Sequence, residues 1–344
     1  MRIVIIGAGW YGCHLAISLI QKNYQVQIFE RSDSSISGAS RNNQNRLHRG
    51  FHYPRNFETR KQSHEGFDWF IEHYGNLVES VPNNIYAVAK TTSNLDFETY
   101  KQIMQASGLE FDDVSTDPTL SRFTNTQGLI NTTEKHILNH RASHYFNNIL
   151  SNVIEFNNEI DLLNTEKLME LKREYDYVID CTWGTARTIP DVDYYYEPCI
   201  YFYYKQKIKE NFAFTLMDGD FFSLFPYDDE IFTVTSVANS PIGKTTKRSE
   251  ITALFQEAKK TVYIDKKRAQ FEEEILYYYP NFLNDFEFIE PVYSLKSKVV
   301  SSSDFRGCIV KQEDNLISVF SGKIDTLHIA ENEVLKIIEL GNVK

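Results

Sequence analysis

Three glycines and one acid near the start of the chain have the spacing of a phosphate-binding site. Gly7, Gly9 and Gly12 form the pattern G-x-G-x-x-G directly after an apolar stretch, and Glu30 follows the next apolar stretch. In such a pattern the first glycine permits a tight turn, the second lets a pyrophosphate approach the backbone, and the third allows close helix–sheet packing. Free N–H groups at a helix start favour phosphates, and Glu30 can accept hydrogen bonds from a ribose diol. The segment therefore predicts a dinucleotide site.

A strand, a helix and a second strand must position these residues. Residues 2–6 are predicted to form the first strand, residues 13–21 the helix and residues 25–29 the second strand. This order is the start of a doubly wound sheet, in which ligands gather outside the carboxyl ends of the strands.

Two later strands end in loops that can join the same site. Residues 175–184 end in Thr182-Trp183-Gly184, and the apolar run 316–320 leads into Ser321-Gly322-Lys323. A ligand that crosses all three loops is longer than the phosphates of a nucleotide, which favours FAD. Lys323 would place positive charge beside N1 and C2=O of a flavin, where charge improves hydride acceptance.

A basic segment lies in a chain that is otherwise acidic. The net charge of the 344 residues is −11, which argues against general nucleic-acid binding. Residues 34–57 nevertheless contain four arginines (Arg41, Arg46, Arg49 and Arg55) and no carboxylate. This segment predicts a bound anion, with a solvated loop as the alternative.

The four cysteines have no C-x-x-C spacing and so predict neither a zinc site nor a disulfide framework. Their use fits a reducing cytoplasm. The first predicted strand begins at Arg2, which leaves no room for a signal peptide, and no apolar run approaches the ~20 residues of a membrane span. The expectation is a cytoplasmic protein without a membrane span.

A helix is predicted to follow an N-cap at Thr132 or Thr133, with Glu134 in its first turn and an apolar face that extends to Ile149. The helix would carry His136, His140 and His144 one turn apart. Three imidazoles on one stripe could bind zinc, but the stripe has no accompanying carboxylate and lies opposite the apolar face. A solvated face is preferred, and no metal is expected.

An aromatic region from residue 199 to residue 238 has turn residues that predict antiparallel hairpins. Along the run from Tyr201 to Tyr204, one face is expected in the core and the other in a pocket. The predicted fold class is α/β, a Rossmann-like FAD-binding domain with a substrate domain built on a mixed, largely antiparallel β-sheet. The expected boundaries are 1–80, 130–190 and 300–344 for the FAD-binding domain, and 81–129 and 191–299 for the substrate domain.

The segment from Gly38 to Tyr53 shows a family resemblance. Gly38-Ala39-Ser40 follows the Rossmann start, and His48, Gly50 and Tyr53 match a His-x-Gly-x-x-Tyr run. With Thr182-Trp183-Gly184, the chain resembles the D-amino-acid oxidase superfamily of FAD-dependent oxidoreductases, especially L-2-hydroxyglutarate and glycerol-3-phosphate dehydrogenases. The resemblance is closest over the first ~60 residues. The family's terminal loop is commonly richer in glycine than residues 321–325.

The resemblance implies FAD as cofactor, with Asn45, Arg46 and Leu47 beside the flavin. His48 would lie near the reactive edge and accept a proton while hydride passes to flavin N5. Arg49 and Arg306 are candidates to hold a substrate carboxylate or phosphate, because guanidinium offers a planar bidentate fork. The predicted cofactor-binding residues are Gly7, Gly9, Trp10, Tyr11, Gly12, Glu30, Arg31, Ser40, Asn45, Arg46, Leu47, Thr182, Gly184, Gly322, Lys323 and Ile324.

The leading hypothesis is an FAD-dependent oxidoreductase that takes hydride from a C–N or C–O carbon of a small anionic substrate. Amino acids, hydroxy acids and amino sugars are the candidate substrates. A flavin-dependent mutase of the UDP-galactopyranose type remains the alternative, although Gly38-Ala39-Ser40 stands where such mutases have Gly-Gly-Asn. A non-catalytic FAD protein has no positive support. An NAD-only dehydrogenase is disfavoured, because the two later loops would then have no role.

Overall fold

The structure is a computed structural model that describes residues 1–228, 230–300 and 307–341. These residues form three β-sheets with helices packed against them. The strands are, in chain order, β1 (Arg2–Ile6), β2 (Gln25–Phe29), β3 (Arg46–Leu47), β4 (Val78–Ser80), β5 (Asn83–Ala89), β6 (Asp112–Asp113), β7 (Thr126–Thr132), β8 (Lys135–Ile137), β9 (Ile154–Glu155), β10 (Tyr177–Asp180), β11 (Tyr194–Gln206), β12 (Phe212–Met217), β13 (Phe222–Pro226), β14 (Ile231–Ser236), β15 (Phe286–Val299), β16 (Ile309–Glu313) and β17 (Leu316–Phe320).

The α-helices lie between these strands and at the end of the described chain. They are α1 (Trp10–Gln21), α2 (Phe57–Tyr74), α3 (Phe97–Ala106), α4 (Asn139–Ile149), α5 (Thr165–Glu174), α6 (Arg248–Ala258), α7 (Thr261–Tyr278), α8 (Phe282–Asp285) and α9 (Leu327–Gly341). Helices α6 and α7 are close in sequence but separate, with Lys259 and Lys260 between them. In the part of the chain that the structure describes, no helix is both long and apolar enough to cross a membrane.

The six-stranded sheet carries the glycine motif. Its strand order is β16-β17-β10-β1-β2-β9, and every neighbouring pair is parallel except β16–β17. Ile3 and Ile5 pack on the side of α1 and α9, whereas Val4 packs on the opposite side with Leu171 of α5. Burial on both faces explains why β1 is a continuous apolar run. The carboxyl ends of β1, β10 and β17 therefore lie side by side at one edge of the sheet.

The eight-stranded sheet has one aromatic face and one polar face. Its order is β15-β11-β14-β13-β12-β5-β7-β6, and every neighbouring pair is antiparallel except β5–β12. Phe202 and Leu224 pack in an apolar cluster with Phe271 of α7. Tyr201 and Ser223, each one residue earlier in its strand, line a cavity on the other side. Strand alternation thus separates core from cavity.

The three-stranded sheet, ordered β3-β8-β4, corrects the prediction for the segment after residue 132. Lys135 to Ile137 form β8, which pairs with β3 and β4, and α4 begins only at Asn139. The N-cap prediction at Thr132 or Thr133 is therefore wrong, because pairing with two distant strands outweighs the local helix signal. His136 lies on a strand, so the predicted stripe of three histidines does not exist.

We propose that the chain divides into an FAD-binding domain of residues 1–80, 130–190 and 300–344 and a substrate domain of residues 81–129 and 191–299. Sheet membership supports this division. The strands of the six-stranded sheet fall in the first set, while β5, β6 and β11 to β15 fall in the second and β7 crosses a boundary.

Candidate active site

A cavity of about 1110 Å³ separates the six-stranded sheet from the polar face of the eight-stranded sheet. The loops after β1, β10 and β17 line one side, and strands β11 to β15 line the other. Pockets for a single small ligand commonly measure about 300–1,000 Å³. The cavity therefore has room for a dinucleotide cofactor and a small substrate.

The glycine turn after β1 has the geometry that the sequence predicted. Gly7 has φ +99°, in the left-handed region that favours glycine. A Cβ atom on Gly12 would lie 1.9 Å from the carbonyl oxygen of Gly7. Only glycine at residue 12 therefore lets α1 approach the turn this closely.

The start of α1 presents backbone to the cavity, while the large side chains beside it belong to the fold. Gly9 caps the helix without a side-chain hydrogen bond, and the N–H of Trp10 donates to Oγ of Ser40 at 3.3 Å. The Trp10 indole donates to Asn139 at 3.1 Å and packs among buried aromatic rings. The Tyr11 hydroxyl contacts Thr326 at 2.7 Å. The side chains of Trp10 and Tyr11 therefore fix the position of α1 through contacts with other protein residues.

Glu30 is buried at the end of β2 and already serves the fold. Its carboxylate accepts hydrogen bonds from the N–H groups of Ala8 at 2.7 Å and Ser32 at 2.9 Å. A carboxylate has further lone pairs, so a ribose hydroxyl can still donate to it. Arg31 is exposed at the cavity rim, 4.0 Å from Glu159.

The loop after β10 forms the middle of the cavity wall. The Thr182 hydroxyl donates to Asp180 at 2.6 Å, and Thr182 and Trp183 line the cavity. Trp183 has φ +57° and Gly184 has φ +73°. Gly184 lies behind this wall, where its carbonyl accepts a 2.6 Å hydrogen bond from the Tyr196 hydroxyl.

The loop after β17 completes that wall with Gly322, Lys323 and Ile324. The sequence predicted that Lys323 would place positive charge beside a flavin. In the structure its buried ammonium group lies 3.0 Å from a carboxylate oxygen of Asp325, contacts Ser63, and stands 3.8 Å above the centre of the Tyr53 ring. The charge of Lys323 is therefore paired, although the loop backbone faces the cavity.

Three residues of the segment from Asn45 to His48 line the cavity, and the fourth is in the core. Asn45 (φ +54°), Arg46 and His48 line the cavity, whereas Leu47 is fully buried in the apolar cluster under α1 and α4. The Asn139 side chain donates to that of Asn45 at 2.6 Å and fixes this strained backbone. Leu47 therefore does not line the cavity as predicted, because strand alternation directs its side chain into the core.

Arg49 also points away from the cavity. Its guanidinium donates to the Thr133 hydroxyl at 3.0 Å, lies 3.8 Å from Asp68 and stacks on the Phe67 ring. The prediction that Arg49 holds the substrate therefore has no support from its geometry. Arg306, the other predicted arginine, lies outside the described residues.

Arg46, rather than Arg49, is the arginine of this segment that lines the cavity. Its buried guanidinium donates to the Tyr86 hydroxyl and to Oγ of Ser223, each at 2.8 Å, and lies 4.2 Å from the centre of the Phe225 ring. Tyr86 and Ser223 belong to strands of the eight-stranded sheet. Arg46 therefore joins the segment beside the cofactor loops to the polar face.

Glu134 is a residue of this site that sequence reasoning missed. The turn between β7 and β8 buries its carboxylate, which accepts hydrogen bonds from the backbone N–H of Arg49 at 2.7 Å and from the Tyr86 hydroxyl at 2.6 Å. Burial favours a raised pKa, yet His48, Arg46 and the Tyr86 hydrogen bond together hold the pKa of Glu134 at about 2. The sequence predicted this acid in the first turn of a helix, where it would have had no role in the site.

Within the described ranges, no three His, Cys, Asp or Glu side chains converge in a way that would hold a metal ion. The wall does suit an elongated dinucleotide. It offers glycine backbone at Gly7 and Gly9, the N-terminus of α1, whose cap residue is a glycine, and the indole nitrogen of Trp183, which is buried without a hydrogen-bond partner. These groups match phosphates and the polar edge of a flavin.

The family follows from comparison with known proteins. The model of the FAD dependent oxidoreductase family, named DAO, matches residues 2–279, and the chain belongs to this D-amino-acid oxidase family. A protein named FAD-dependent monooxygenase FPY4, from Fusarium mangiferae, is 37% identical over 97% of this chain and 90% of its own length. FAD-dependent monooxygenase kojA of Aspergillus flavus is 27% identical over 98% of this chain and 86% of its own.

Solved structures share the fold. L-α-glycerophosphate oxidase from Mycoplasma pneumoniae, with FAD bound, aligns with a TM-score of 0.73 and 14% identity over 98% of this chain and 94% of its own. Glycine oxidase from Geobacillus kaustophilus gives a TM-score of 0.68 and 11% identity over 98% and 95%. The protein is thus an FAD-dependent oxidoreductase enzyme. The NAD-only alternative is wrong, and none of the relatives named here is a mutase.

Proposed function

We propose that the protein removes a hydride from a C–N or C–O carbon of a small anionic substrate, such as an amino acid, a hydroxy acid or an amino sugar. His48 would accept the accompanying proton. One observation carries this proposal: the side chains of Arg46 and His48 both line the cavity, while Leu47 and Arg49 point away. One ligand in the cavity can therefore contact both the cation of Arg46 and the proton acceptor of His48.

The proposed cofactor site follows the carboxyl edge of the six-stranded sheet. When bound there, FAD accepts the hydride that the substrate carbon releases. The loops after β1 and β2 would hold the adenosine and pyrophosphate, and the loops after β10 and β17 would hold the flavin. The residues proposed for direct contact are Gly7, Gly9, Glu30, Ser40, Asn45, Thr182, Gly322, Lys323 and Ile324.

Arg46 supports the proposal of an anionic substrate. Its guanidinium is buried, donates to two hydroxyl groups, and takes part in none of the ion pairs found among the described residues. A buried cation favours an anion beside it, and a guanidinium can hold a carboxylate in fixed orientation. His48 would then face the neighbouring hydroxyl or amine of the same substrate.

Anaerobic flavin reduction tests this function. The FAD-loaded protein is mixed with amino acids, hydroxy acids and amino sugars, and bleaching of the flavin absorbance is followed. With a reactive compound, His48→Ala should slow bleaching by roughly 10²–10⁴-fold, as expected for loss of a general base. The matched control is His144→Ala, because His144 is an exposed histidine on α4. An unchanged rate in His48→Ala would refute the assigned base.

Monooxygenation is the second candidate, because both sequence relatives described above are named FAD-dependent monooxygenases and match nearly the whole chain. A monooxygenase places one atom of O₂ in its product and needs two electrons from a reductant such as NADPH. The two functions separate in one experiment. Bleaching by substrate alone, without ¹⁸O from ¹⁸O₂ in the product, supports direct oxidation. Bleaching that requires NADPH, with ¹⁸O incorporation, supports monooxygenation.

We also propose a cytoplasmic location. All four cysteines are in described parts of the chain, and each is unpaired. Unpaired cysteines, two of them fully buried, fit a reducing compartment. Fractionation of the source cells, with the protein detected by antibody, tests this proposal.

A further inference from the structure

Glu134 is a buried carboxylate that has no role in the proposed reaction as described above. The residue as a whole is 1% exposed and lies in the turn between β7 and β8. Oε1 accepts the backbone N–H of Arg49, Oε2 accepts the hydroxyl of Tyr86, and Oε2 lies 3.5 Å from Nδ1 of His48. The carboxylate therefore stands directly behind the proposed base.

We propose that Glu134 is a positioning residue that keeps the proton of neutral His48 on Nδ1 and leaves Nε2 free to accept the substrate's proton. This inference rests on the proposed function. As the substrate carbon gives its hydride to the cofactor, the hydroxyl or amine proton passes to Nε2. The imidazolium that results is then balanced by the negative charge of Glu134.

The orientation of the His48 ring supports this assignment. Nδ1 is buried, while the side chain as a whole is 23% exposed and lines the cavity. The open edge of the ring is therefore the edge that carries Nε2. The rings of His52 and Tyr53 lie 5.2 Å and 5.6 Å from that of His48, centre to centre, and restrict its plane. Nδ1 has no hydrogen-bond partner among the described residues, and the Glu134 oxygen 3.5 Å away is the carboxylate oxygen that faces it.

Glu134 also connects the base to the proposed substrate-binding cation. Arg46 donates to the Tyr86 hydroxyl, and that hydroxyl donates to Glu134. One carboxylate thus orients His48 directly and Arg46 through Tyr86. Hydrogen bonds from the Arg49 N–H and the Tyr86 hydroxyl favour the ionised form of this buried carboxylate. A carboxylate that served only the local turn would need no contact with His48.

The variant Glu134→Gln gives a specific result, because the Arg49 N–H needs an acceptor at the Oε1 position. The amide oxygen must occupy that position, so the NH₂ group faces Tyr86 and His48. An N–H directed at Nδ1 makes that nitrogen an acceptor and moves the ring proton to Nε2. The substitution nearly preserves shape, and the expected change is a reversed tautomer in an otherwise folded protein.

The tautomer is measured by NMR on FAD-loaded protein labelled with [¹⁵N]histidine, with His48→Gln used to assign the signals. The wild type should show the proton on Nδ1, and Glu134→Gln should show it on Nε2. Glu134→Asp keeps the negative charge and should retain the wild-type tautomer. Tyr86→Phe is the matched control, since it removes a hydrogen bond to Glu134 but leaves the carboxylate facing His48. The same tautomer in wild type and Glu134→Gln would overturn the proposal.

Flavin bleaching by a compound from the screen provides the second measurement. Glu134→Gln should slow bleaching by about 10²–10⁴-fold, and Glu134→Asp should recover part of the loss. Equal slowing in Glu134→Gln and Glu134→Asp, without a tautomer change, would indicate a structural role and overturn the inference. If the tautomer reverses while His48→Ala bleaches at the wild-type rate, positioning is supported and the proposed base fails instead.

Discussion

The two walls of the cavity are built by different means. The wall on the six-stranded sheet consists largely of loop backbone, as at Gly7, Gly9 and Gly322. The wall on the eight-stranded sheet consists of side chains selected by strand alternation, as at Tyr201 and Ser223. Backbone recognises the shape and phosphates of a cofactor, whereas side chains recognise the groups of one substrate. Changes in the first wall should therefore affect cofactor retention, and changes in the second should affect turnover.

The largest expected effect comes from Gly12→Val on the cofactor side. A Cβ at residue 12 would lie 1.9 Å from the Gly7 carbonyl oxygen, so α1 must move away from the turn. We expect loss of FAD and a free energy of unfolding lower by about 3 kcal/mol or more. Flavin absorbance per protein after gel filtration and the urea midpoint measure both effects. Gly75→Ala is the control, because Gly75 has helical backbone outside the cavity and a Cβ there would lie 3.8 Å from its nearest neighbour.

Lys323→Met should lower the free energy of unfolding by an amount comparable to that for Gly12→Val. The substitution leaves Asp325 buried without its cation, and breaking a buried ion pair costs about 3–5 kcal/mol of stability. Chemical denaturation measures the loss. The double variant Lys323→Met with Asp325→Asn should recover most of it. A double variant as unstable as the single one would show that the pair is not the main role of Lys323.

Arg46→Lys tests the substrate side without altering the cofactor wall. Lysine keeps the charge but cannot donate to Tyr86 and Ser223 in the same fixed geometry. We expect kcat/KM to fall about 10–100-fold, the equivalent of about one hydrogen bond to a charged group, while FAD content stays unchanged. Arg49→Lys should change kcat/KM by less than about 3-fold. Equal losses in the two variants would contradict the assigned orientations.

The smallest expected effect concerns Glu274, on α7 behind the substrate wall. Burial raises the pKa of Glu274 to about 6, although Ser236 and Asn239 donate to its carboxylate. A raised folded-state pKa favours the protonated form, so its contribution to stability is complete below the unfolded pKa near 4.5 and is lost as pH rises through 6. Glu274→Gln should therefore be more stable than wild type by about 1–2 kcal/mol at pH 7.5 but not at pH 4.5. Urea unfolding at both values measures this difference.

The cofactor side could be read from the sequence because its signals are local. Gly7, Gly9, Gly12 and Glu30 lie within one strand–helix–strand unit, and their spacing alone places them at one sheet edge. The family resemblance and the FAD cofactor were likewise confirmed. The fold class needed only this motif and the hairpin pattern of the later strands.

The substrate side could not be read in the same way, because it depends on contacts between distant segments. Arg46 lies in the cavity and Arg49 outside it owing to the pairing of β3 with β8, which no local pattern reveals. Glu134 looked like the first turn of a helix until β8 paired with β3 and β4. Choosing between neighbouring arginines requires knowledge of strand register, since a shift of one residue exchanges the two faces.

The contact between α2 and the loop after β17 joins two distant parts of the chain beside the proposed cofactor site. A Cβ on Gly66 would lie 1.6 Å from the Asp325 carbonyl oxygen, so these two backbones meet directly. The strand that precedes this loop, β17, pairs with β10 near the centre of the sheet. The two segments are far apart in the sequence: the Lys323 ammonium contacts the Ser63 hydroxyl across 260 positions. Contacts of such high sequence separation close large loops and form slowly. The glycine motif can thus fold locally, whereas the flavin end of the proposed site requires long-range closure.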